Sequence, residues 1–516
     1  MSIESHLLIE EEEEEEIGNE HPAHHPPAPA DELFDISTTV DPSYVISLIR
    51  KLLPPTMNAA TTCDRVSGCD SATEGTNGSL ISQPEDNLME KKHETMDITN
   101  QLGRSDNQEV HDGDSNDQKK HPDPSVGDSS WEEHGCILWD LATSRTHAEL
   151  MVQNLVLEVI LATLTVSQSP RVTEISLGII GNLACHEVSR NQIASVKGLV
   201  EIIVEQLFID DTPCLCEEFR LLTLCLQGNE SITWAKALQP DNILSRVLWV
   251  VENTLNPQLI EKSVGFLLTI SESEDEVKAI LLPHLVKLGL PAILINLLAF
   301  EISKLSGDER LSERYPVLDI ILRAIEALTV TDSYSQELCL SKKLIHLLAT
   351  LIKLGDIIEV ATSCVTATVL IANLLSDSSD LILEINQDLP FLQGLLDIFP
   401  FASDDLEARN AIWDIISRSL THVEGNIQQY VSILSSKSDL IEEELLDHQL
   451  AATNKHQETL TTSIRTTALK RIDCVVSQWL ALKDGPRSNQ EYVVNERDLD
   501  RLKDCCCKYS NGSDSR

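Results

Sequence analysis

The stretch SPRVTEISLGIIGNLACHEVSRNQIASVKGLVEIIVEQL, residues 169–207, decides the fold. Its apolar residues recur with a helical period, Pro170 sits at the start of the first helix, and Gly198 interrupts the pattern before the third helix. A single helix of this kind cannot bury its own apolar stripe. Three helices in so short a stretch therefore predict one unit of an α-solenoid, in which neighbouring units cover each other.

The same pattern recurs downstream and predicts an array of repeats. Taking Leu183 as the reference position, the equivalent residues are Leu226, Ile270, Leu328, Leu374 and Leu420. Four of the five intervals fall within the roughly 40–47 residues typical of armadillo and HEAT repeats. The long interval contains the polar stretch Glu301–Tyr315, which predicts an insertion on one face. Chance agreement among leucine-rich helices is the alternative for any one repeat, but the series predicts an all-α armadillo/HEAT-type solenoid.

Composition and charge limit the classes of partner. Apolar residues make up 42% of the chain and aromatic residues 4%, so leucine and isoleucine must fill the interior. The formal net charge is −44, and residues 1–130 hold 28 acidic and 8 basic residues. Such a surface repels nucleic acid and anionic membranes and favours basic protein segments. A solvated surface that serves solubility is the alternative.

Thirteen cysteines predict free thiols, because several of them fall on apolar helix faces where a thiol behaves as a small hydrophobe. This usage indicates a reducing compartment. Neither the Cys-Leu-Cys of residues 214–216 nor the cysteine run 505–507 has a second pair at zinc-ligand spacing, so no metal site is predicted. The acidic amino terminus predicts no secretory signal. The apolar stretch Leu281–Phe300 contains His284, Lys287 and two prolines, and predicts two buried helices rather than a membrane span.

The amino-terminal quarter divides into three segments. Residues 1–40 include seven consecutive glutamates and predict a disordered acidic tail. Residues 41–55 predict a short amphipathic helix, with Asp41 as N-cap and Pro42 in its first turn. This helix is too short to be stable alone, so it docks either on the chain's own solenoid or on another protein. Residues 56–130 have almost no apolar periodicity and predict a disordered linker.

The ordered part is predicted for residues 131–485. A helical hairpin within residues 136–164 is expected to cap the start of the stack, because repeat arrays need terminal units with one polar face. The repeats proper are predicted for about 170–435, and an amphipathic helix around Ile472–Leu480 is expected to cap the other end. Residues 486–516 are predicted to form a polar tail that frays.

The sequence contains no recognisable catalytic pattern. Gly178 and Gly181 lie within an apolar helix, where they favour close helix packing and not a phosphate loop. No serine occurs in a nucleophile-elbow pattern, and no HExxH motif is present. The sequence therefore predicts a protein that is not an enzyme and needs no cofactor. An enzyme or enzyme subunit whose site forms only in three dimensions is the alternative from another class.

Residues 170–185, PRVTEISLGIIGNLAC, and the upstream Leu138-Trp139-Asp140-Leu141 resemble the Saal family of serum amyloid A-like armadillo-type proteins. The acidic amino terminus, the short helix and the variable linker are also similar to that family. The resemblance is strong over residues 131–207 and weaker, though collinear, to about 435. It implies a mostly nuclear, non-catalytic armadillo-type protein linked to cell proliferation in animals. The long polar linker departs from the animal pattern.

The resemblance to armadillo proteins raises the question of a peptide-binding groove. In the peptide-binding members, an asparagine on each third helix bonds the ligand backbone, and a tryptophan four residues earlier shapes the side-chain slots. Aligned on Leu183, the asparagine positions hold Asn182, Cys225, Thr269, Ala327, Asn373 and Ser419. The tryptophan positions hold Gly178, Leu221, Gly265, Arg323, Val369 and Ile415. Two asparagines and no tryptophan argue against a ladder for basic localisation signals.

Asn182 and Asn373 are thus the candidate partner-binding residues. Asn182 is expected to face the groove while Leu183 packs inward, because neighbouring helical positions point about 100° apart. The alternative for Asn182 is a bond to nearby backbone. The sequence as a whole predicts a monomeric protein-binding scaffold in the nucleus, with the cytoplasm as a second location and without nucleic-acid or membrane partners. A nuclear transport adaptor for basic cargo is the alternative of the same class.

Overall fold

The computed structural model describes residues 40–53, 125–305, 312–330, 338–354, 358–423, 425–451, 458–483 and 494–510 of the 516-residue chain. The predicted acidic tail lies outside these residues apart from residue 40, and so does the predicted linker apart from 125–130. Within the described ranges, every regular element is a helix.

The first repeats supply eleven α-helices. In chain order these are α1 (Pro42–Lys51), α2 (Ser125–Leu141), α3 (Arg145–Gln153), α4 (Val156–Val166), α5 (Pro170–Ala184), α6 (Glu187–Ser195), α7 (Leu199–Glu205), α8 (Thr212–Leu226), α9 (Ser231–Leu238), α10 (Asp241–Asn253) and α11 (Pro257–Glu272).

Twelve further helices continue the chain. They are α12 (Asp275–Lys287), α13 (Leu290–Leu305), α14 (Tyr315–Thr329), α15 (Lys342–Ile352), α16 (Ala361–Asp377), α17 (Ile382–Ile385), α18 (Leu389–Asp397), α19 (Leu406–Ser419), α20 (Ile427–Ser436), α21 (Ser438–Ala451), α22 (Glu458–Lys483) and α23 (Glu496–Ser510).

The helices repeat in groups of three. The third helices of successive repeats are α2, α5, α8, α11, α14, α16, α19 and α22, and each of them packs on the next. The second helices α4, α10, α13, α15 and α18 pack on the third helix that follows them, and the first helices α6, α9 and α12 pack on the third helix before them. The chain is therefore an armadillo-type α-solenoid, as the sequence predicted.

Three of the third helices, α5, α8 and α11, begin with the same local chemistry. The N-cap residues of α5, α8 and α11 are Ser169, Asp211 and Asn256, and the side chain of each accepts a hydrogen bond from a backbone N–H in the first turn. A proline follows at the first or second helical position in all three. The cap satisfies one of the orphan N–H groups, and proline has no N–H to leave unsatisfied. This recurrence fixes the start of these three helices.

The core positions predicted from the sequence are confirmed to be buried. Leu183 and its five predicted equivalents, Leu226, Ile270, Leu328, Leu374 and Leu420, are all at most 5% exposed. The apolar stretch Leu281–Phe300 is divided between α12 and α13, which meet at an angle of 69°. Within the part of the chain that the structure describes, no single helix is long and apolar enough to cross a membrane.

The predicted insertion Glu301–Tyr315 is less exposed at its ends than its polar sequence suggested. Glu301 lies in α13 and is fully buried. Arg314 donates two hydrogen bonds to its carboxylate, at 2.8 and 2.6 Å. This bidentate pair satisfies both buried charges and joins the two ends of the insertion. Residues 306–311 lie outside the described residues.

The predicted polar tail over residues 486–516 is wrong for residues 496–510. These residues form α23, which packs on α20, α21 and α22. Its buried face holds Leu499, Leu502, Cys505, Cys506 and Tyr509. The dense charges between these residues lie on the opposite face of an amphipathic helix, and they concealed the apolar spacing.

Two further boundaries differ from the prediction. The sequence placed no helix between the end of the repeats near residue 435 and the final helix, but this stretch contains α21, with Ile441 and Leu445 fully buried. At the other end, residues 136–141 and 150–164 were predicted as a capping hairpin, but the first of these segments is the end of α2 and the second spans the end of α3 and most of α4. Helices α3 and α4 do not form a separate cap. They precede α5 as the first and second helices of a regular repeat, and the third helix of the repeat before is α2.

The helix register is open to a direct test. Leu183→Asp places a carboxylate where the side chain is 0% exposed, so we expect a loss of at least about 3 kcal/mol in the free energy of unfolding. Leu383→Asp is the matched control, because Leu383 in α17 is 64% exposed, and we expect a change within about 0.5 kcal/mol. Chemical denaturation of both variants measures the difference. Equal stability of the two would show that the register is wrong.

Candidate functional site

The third helices expose a stripe of side chains between their contacts with neighbouring helices. In α5 the stripe contains Arg171, Glu174 and Asn182, and in α16 it contains Thr362 and Asn373. Solenoids of this type present an extended concave surface, and in the armadillo type the third helices line it. We call this stripe the inner face. It is the candidate site.

Two glycines in α5 allow side chains from both neighbouring third helices to cross it. A Cβ atom added at Gly178 would lie 2.1 Å from the indole ring of Trp139, which projects from α2. A Cβ atom at Gly181 would lie 2.5 Å from the guanidinium of Arg220, which projects from α8. The prediction that these glycines permit close packing is thus confirmed, and the two side chains for which they make room are now identified.

Asn182 lies between these two side chains and bonds to both neighbouring helices. Its Nδ2 donates to the carbonyl of Trp139 at 2.9 Å, and its Oδ1 accepts from Arg220 Nη1 at 3.2 Å. The Trp139 carbonyl belongs to the last turn of α2, where carbonyls have no partner within the helix. Asn182 is half-buried while Leu183 is fully buried. Asn182 therefore ties three third helices together.

Arginines make similar ties elsewhere along the inner face. Arg220 also donates to the carbonyl of Gly178 at 3.3 Å, and Arg418 in α19 donates to that of Leu375 in α16 at 2.9 Å. Arg471 in α22 donates to the carbonyl of Ser417, near the end of α19. Each arginine thus reaches the preceding third helix, and the Leu375 and Ser417 carbonyls lie in last turns, where a cation is also favoured by the helix dipole.

The sequence alignment of the inner face was wrong in two repeats. In α8 the predicted positions Leu221 and Cys225 are at most 1% exposed, and in α19 the predicted Ile415 is fully buried and Ser419 is 4% exposed. In these two helices the ninth and thirteenth residues after the N-cap are partly exposed and occupy the inner face instead. In α8 and α19 these are Arg220, Leu224, Asp414 and Arg418. A shift of one residue rotates a side chain by about 100° around the helix axis. Because residues at both the predicted and the shifted core positions are apolar or small, burial of the predicted core residues did not reveal this error.

Asn373 occupies in α16 the position that Asn182 occupies in α5, thirteen residues after the N-cap. Asn373 is half-buried, as Asn182 is. Among the described residues, no hydrogen bond to its side chain was found, in contrast to Asn182. The exposed stripe around it in α16 carries no charge and includes Thr362 and Thr366, while Val369 is buried. Of the two candidate asparagines, Asn373 is the one whose amide group is available to a ligand.

Carboxyl groups on α14 flank this uncharged stripe. Desolvation raises the pKa of Asp319 and of Glu326, and for Glu326 the nearby Glu407 adds to the effect. Arg323, between them on the same helix, acts in the opposite direction and approaches Glu272 of the preceding third helix at 3.8 Å. The inner face therefore combines a neutral polar patch with partly desolvated carboxyls.

Sequence reasoning missed the buried carboxyl group of Glu218 in α8. Glu218 is fully buried, and neither of its oxygens has a hydrogen-bond partner in the structure. Burial raises the pKa of Glu218 well above its usual range. The folded chain thus holds this group uncharged to a higher pH than the unfolded chain. Its position among apolar residues of α8 was the only signal in the sequence.

The described residues offer little for catalysis or metal binding. They contain no group of three or more His, Cys, Asp or Glu side chains that could hold a metal ion. Their cysteines are free thiols, and burial raises the pKa of Cys216 to about 11 and of Cys364 to about 12. Such thiols are protonated at neutral pH and are poor nucleophiles. What the inner face offers instead is hydrogen bonding and shape.

The fold defines the class of protein: an armadillo-type repeat solenoid. No family model matches the chain. Protein saal1 of Danio rerio is 31% identical over 147 residues, which are 28% of this chain and 31% of the relative. Protein SAAL1 of Homo sapiens is 28% identical over 137 residues, 26% of this chain and 29% of the relative.

The predicted resemblance to the Saal family is confirmed by these relatives. The matched region spans about a third of the length of the curated relatives. Among solved structures, a computationally designed armadillo repeat protein for modular peptide recognition is 15% identical with a TM-score of 0.37, covering 47% of this chain and 94% of its own. An engineered protein is 13% identical with a TM-score of 0.43, covering 75% and 96%.

The glycine contacts generate a prediction with a matched control. In Gly178→Ala the new methyl group would overlap the ring of Trp139, and we expect a loss of about 1–3 kcal/mol in stability. In Gly265→Ala, at the equivalent position of α11, the nearest atom is a side-chain methyl of Ile320 at 3.7 Å. Higher helix propensity should then stabilise the chain by about 0.5–1 kcal/mol. Thermal melts of both variants test the difference, and a stabilised Gly178→Ala would contradict the described packing.

Proposed function

We propose that this protein is a non-catalytic scaffold that binds other proteins through the inner face of its solenoid. The observation that carries the proposal is the side-chain amide of Asn373, which has no hydrogen-bond partner among the residues that the structure describes and lies in an uncharged polar stripe. Elsewhere on the inner face, carbonyls at the ends of third helices already accept hydrogen bonds from neighbouring side chains. An amide donates and accepts at the same time, which suits the backbone of an extended segment. A preorganised surface of this kind lowers the entropic cost of binding.

The nucleus is the proposed location, and a role in promoting cell proliferation is the proposed biological setting. Both rest on the resemblance to the Saal family. The free thiols of the described residues are compatible with the reducing conditions of the nucleus and cytoplasm. The proposed working state is a monomer that binds proteins and neither nucleic acid nor membrane, in keeping with the net charge of −44.

The net charge also favours a second candidate function, a nuclear transport adaptor for basic cargo. Two features of the inner face oppose it. The ninth positions after the N-caps hold no tryptophan in α5, α8, α11, α14, α16 or α19. Arginines also lie on the face itself, where they would repel a basic peptide. Binding to the inner face should therefore depend on the Asn373 amide and only mildly on salt.

The two asparagines provide the test. Asn373→Ala should weaken capture of partners from nuclear extract, by about 1–3 kcal/mol in binding free energy, while the melting temperature is unchanged. Asn182→Ala should instead lower stability, because the carbonyl of Trp139 and the guanidinium of Arg220 lose their partner. Partner capture and a melting curve are measured for the wild type and for each variant. The first measures binding and the second measures stability, so the two effects are separated. Unchanged capture by Asn373→Ala would contradict the proposal.

A titration separates scaffold from adaptor. A lysine-rich localisation peptide is the probe, measured at physiological ionic strength and again at high salt. Weak binding is expected for the scaffold. Micromolar or tighter affinity that collapses as salt screens the charges would favour the adaptor.

A further inference from the structure

Helix α1 occupies a place that the other repeats give to their second helix. It packs on the third helix α2 and on the first helix of the following repeat, α3. Second helix α10 has the same two neighbours, since it packs on the third helix α11 and on the next first helix, α12. By position, α1 and α2 are thus the second and third helices of one repeat at the amino-terminal end.

The contact of α1 with this end is a core contact. Val45, Leu48, Ile49 and Leu52 recur at helical spacing, and each is at most 3% exposed. The carbonyl of Leu52, at the end of α1, accepts a hydrogen bond from Trp131 Nε1 of α2 at 3.1 Å. Lys51 Nζ lies 3.1 Å from His134 Nε2 on the same helix. Side chains of α2 thus satisfy and flank the last turn of α1.

What distinguishes this repeat is the connection between its two helices. Three residues, 167–169, connect α4 to α5, and three residues, 254–256, connect α10 to α11. Between α1 and α2 the connection is 73 residues long, 52–124. The entropic cost of bringing two parts of a chain together grows only with the logarithm of the number of residues between them. The two helices can therefore belong to one repeat although they are far apart in sequence.

We propose that the amino-terminal repeat is split, and that α1 is a reversibly bound segment that docks from the same chain onto the surface formed by α2 and α3. A ten-residue helix is marginal by itself in water, so α1 folds as it docks. Its tether holds it near this surface at an effective concentration on the order of a millimolar or less. Below that protein concentration the helix of the same chain wins over the helix of a second copy.

The same surface defines the kind of helix it accepts. The occupant needs apolar residues at positions i, i+3, i+4 and i+7, which is the spacing of Val45, Leu48, Ile49 and Leu52. It also needs an exposed carbonyl end that the Trp131 indole can reach. Residues 42–52 meet both conditions, and the structure shows them in contact with this surface.

The test uses the full chain with a specific protease site inserted between Glu85 and Asp86. Cleavage after folding removes the tether without removing α1. We expect the two pieces to elute together, one to one, at tens of micromolar protein, and to separate on dilution by a hundredfold, with a fall in melting temperature. Uncut protein should show neither change. Pieces that separate at tens of micromolar while the melting temperature stays unchanged would overturn the proposal.

Two substitutions in the uncut chain sharpen the result. Leu48→Asp should release α1, seen as fast hydrogen exchange of its backbone amides and a changed Trp131 environment. Tyr44→Asp is the matched control on the same helix, because Tyr44 is 44% exposed, and it should leave exchange slow. Equal exchange in the two variants would contradict the assigned contact. A third experiment checks whether the docked α1 comes from the same chain: two differently tagged copies are mixed, and α1 is crosslinked to α2. Adducts that join the two tags would overturn docking within one chain.

Discussion

The structure depends on the packing of each third helix on the next one. None of these helices can bury its apolar residues without a neighbour, so the array is stable only as a stack. The contact between α5 and its neighbours is the clearest case. Because Gly178 and Gly181 carry no side chain, the indole of Trp139 and the guanidinium of Arg220 fill the space above the helix. Close packing and the crossing side chains both follow from those two residues.

The polar chemistry of the inner face follows from the same packing. When third helices stack, the carbonyls of their last turns lie within reach of the next helix, and Asn182 and the inner-face arginines bond them. These bonds satisfy groups that would otherwise be orphaned. They also use up polar side chains that would have been free for a ligand. The side-chain amide of Asn373 makes no such bond within the described part of the chain, so its donor and acceptor remain available to a ligand.

Much of the fold could be predicted from the sequence. The recurring N-caps, prolines and apolar spacings are local signals, and they located the third helices and the buried Leu183 register. The short helix from Asp41 was predicted for the same reason. The carboxyl-terminal helix α23 was missed, because its apolar residues, two of them cysteines, are separated by dense charge.

The candidate site could be predicted only in part. The sequence selected Asn182 and Asn373 but could not separate them, because the bonds of Asn182 come from residues about 40 positions away in both directions. The phase error in α8 and α19 has a related cause. Apolar residues on both sides of a buried helix allow two registers, and only the N-cap distinguishes them. The docking position of α1 could not be predicted, because the surface that it contacts is formed by α2 and α3, which are distant from α1 in the sequence.

The proposed function places protein binding on the inner face of the third helices. Site-specific photocrosslinking tests it most directly, with a photoreactive residue at Thr366 on the inner face of α16 and, in a second variant, at Trp249, which is 51% exposed on the second helix α10. We expect a photoreactive residue at position 366 to form adducts with partner proteins, and we expect Asn373→Ala to abolish them. We expect no adducts from position 249. Adducts from position 249 with none from position 366 would contradict the proposed function.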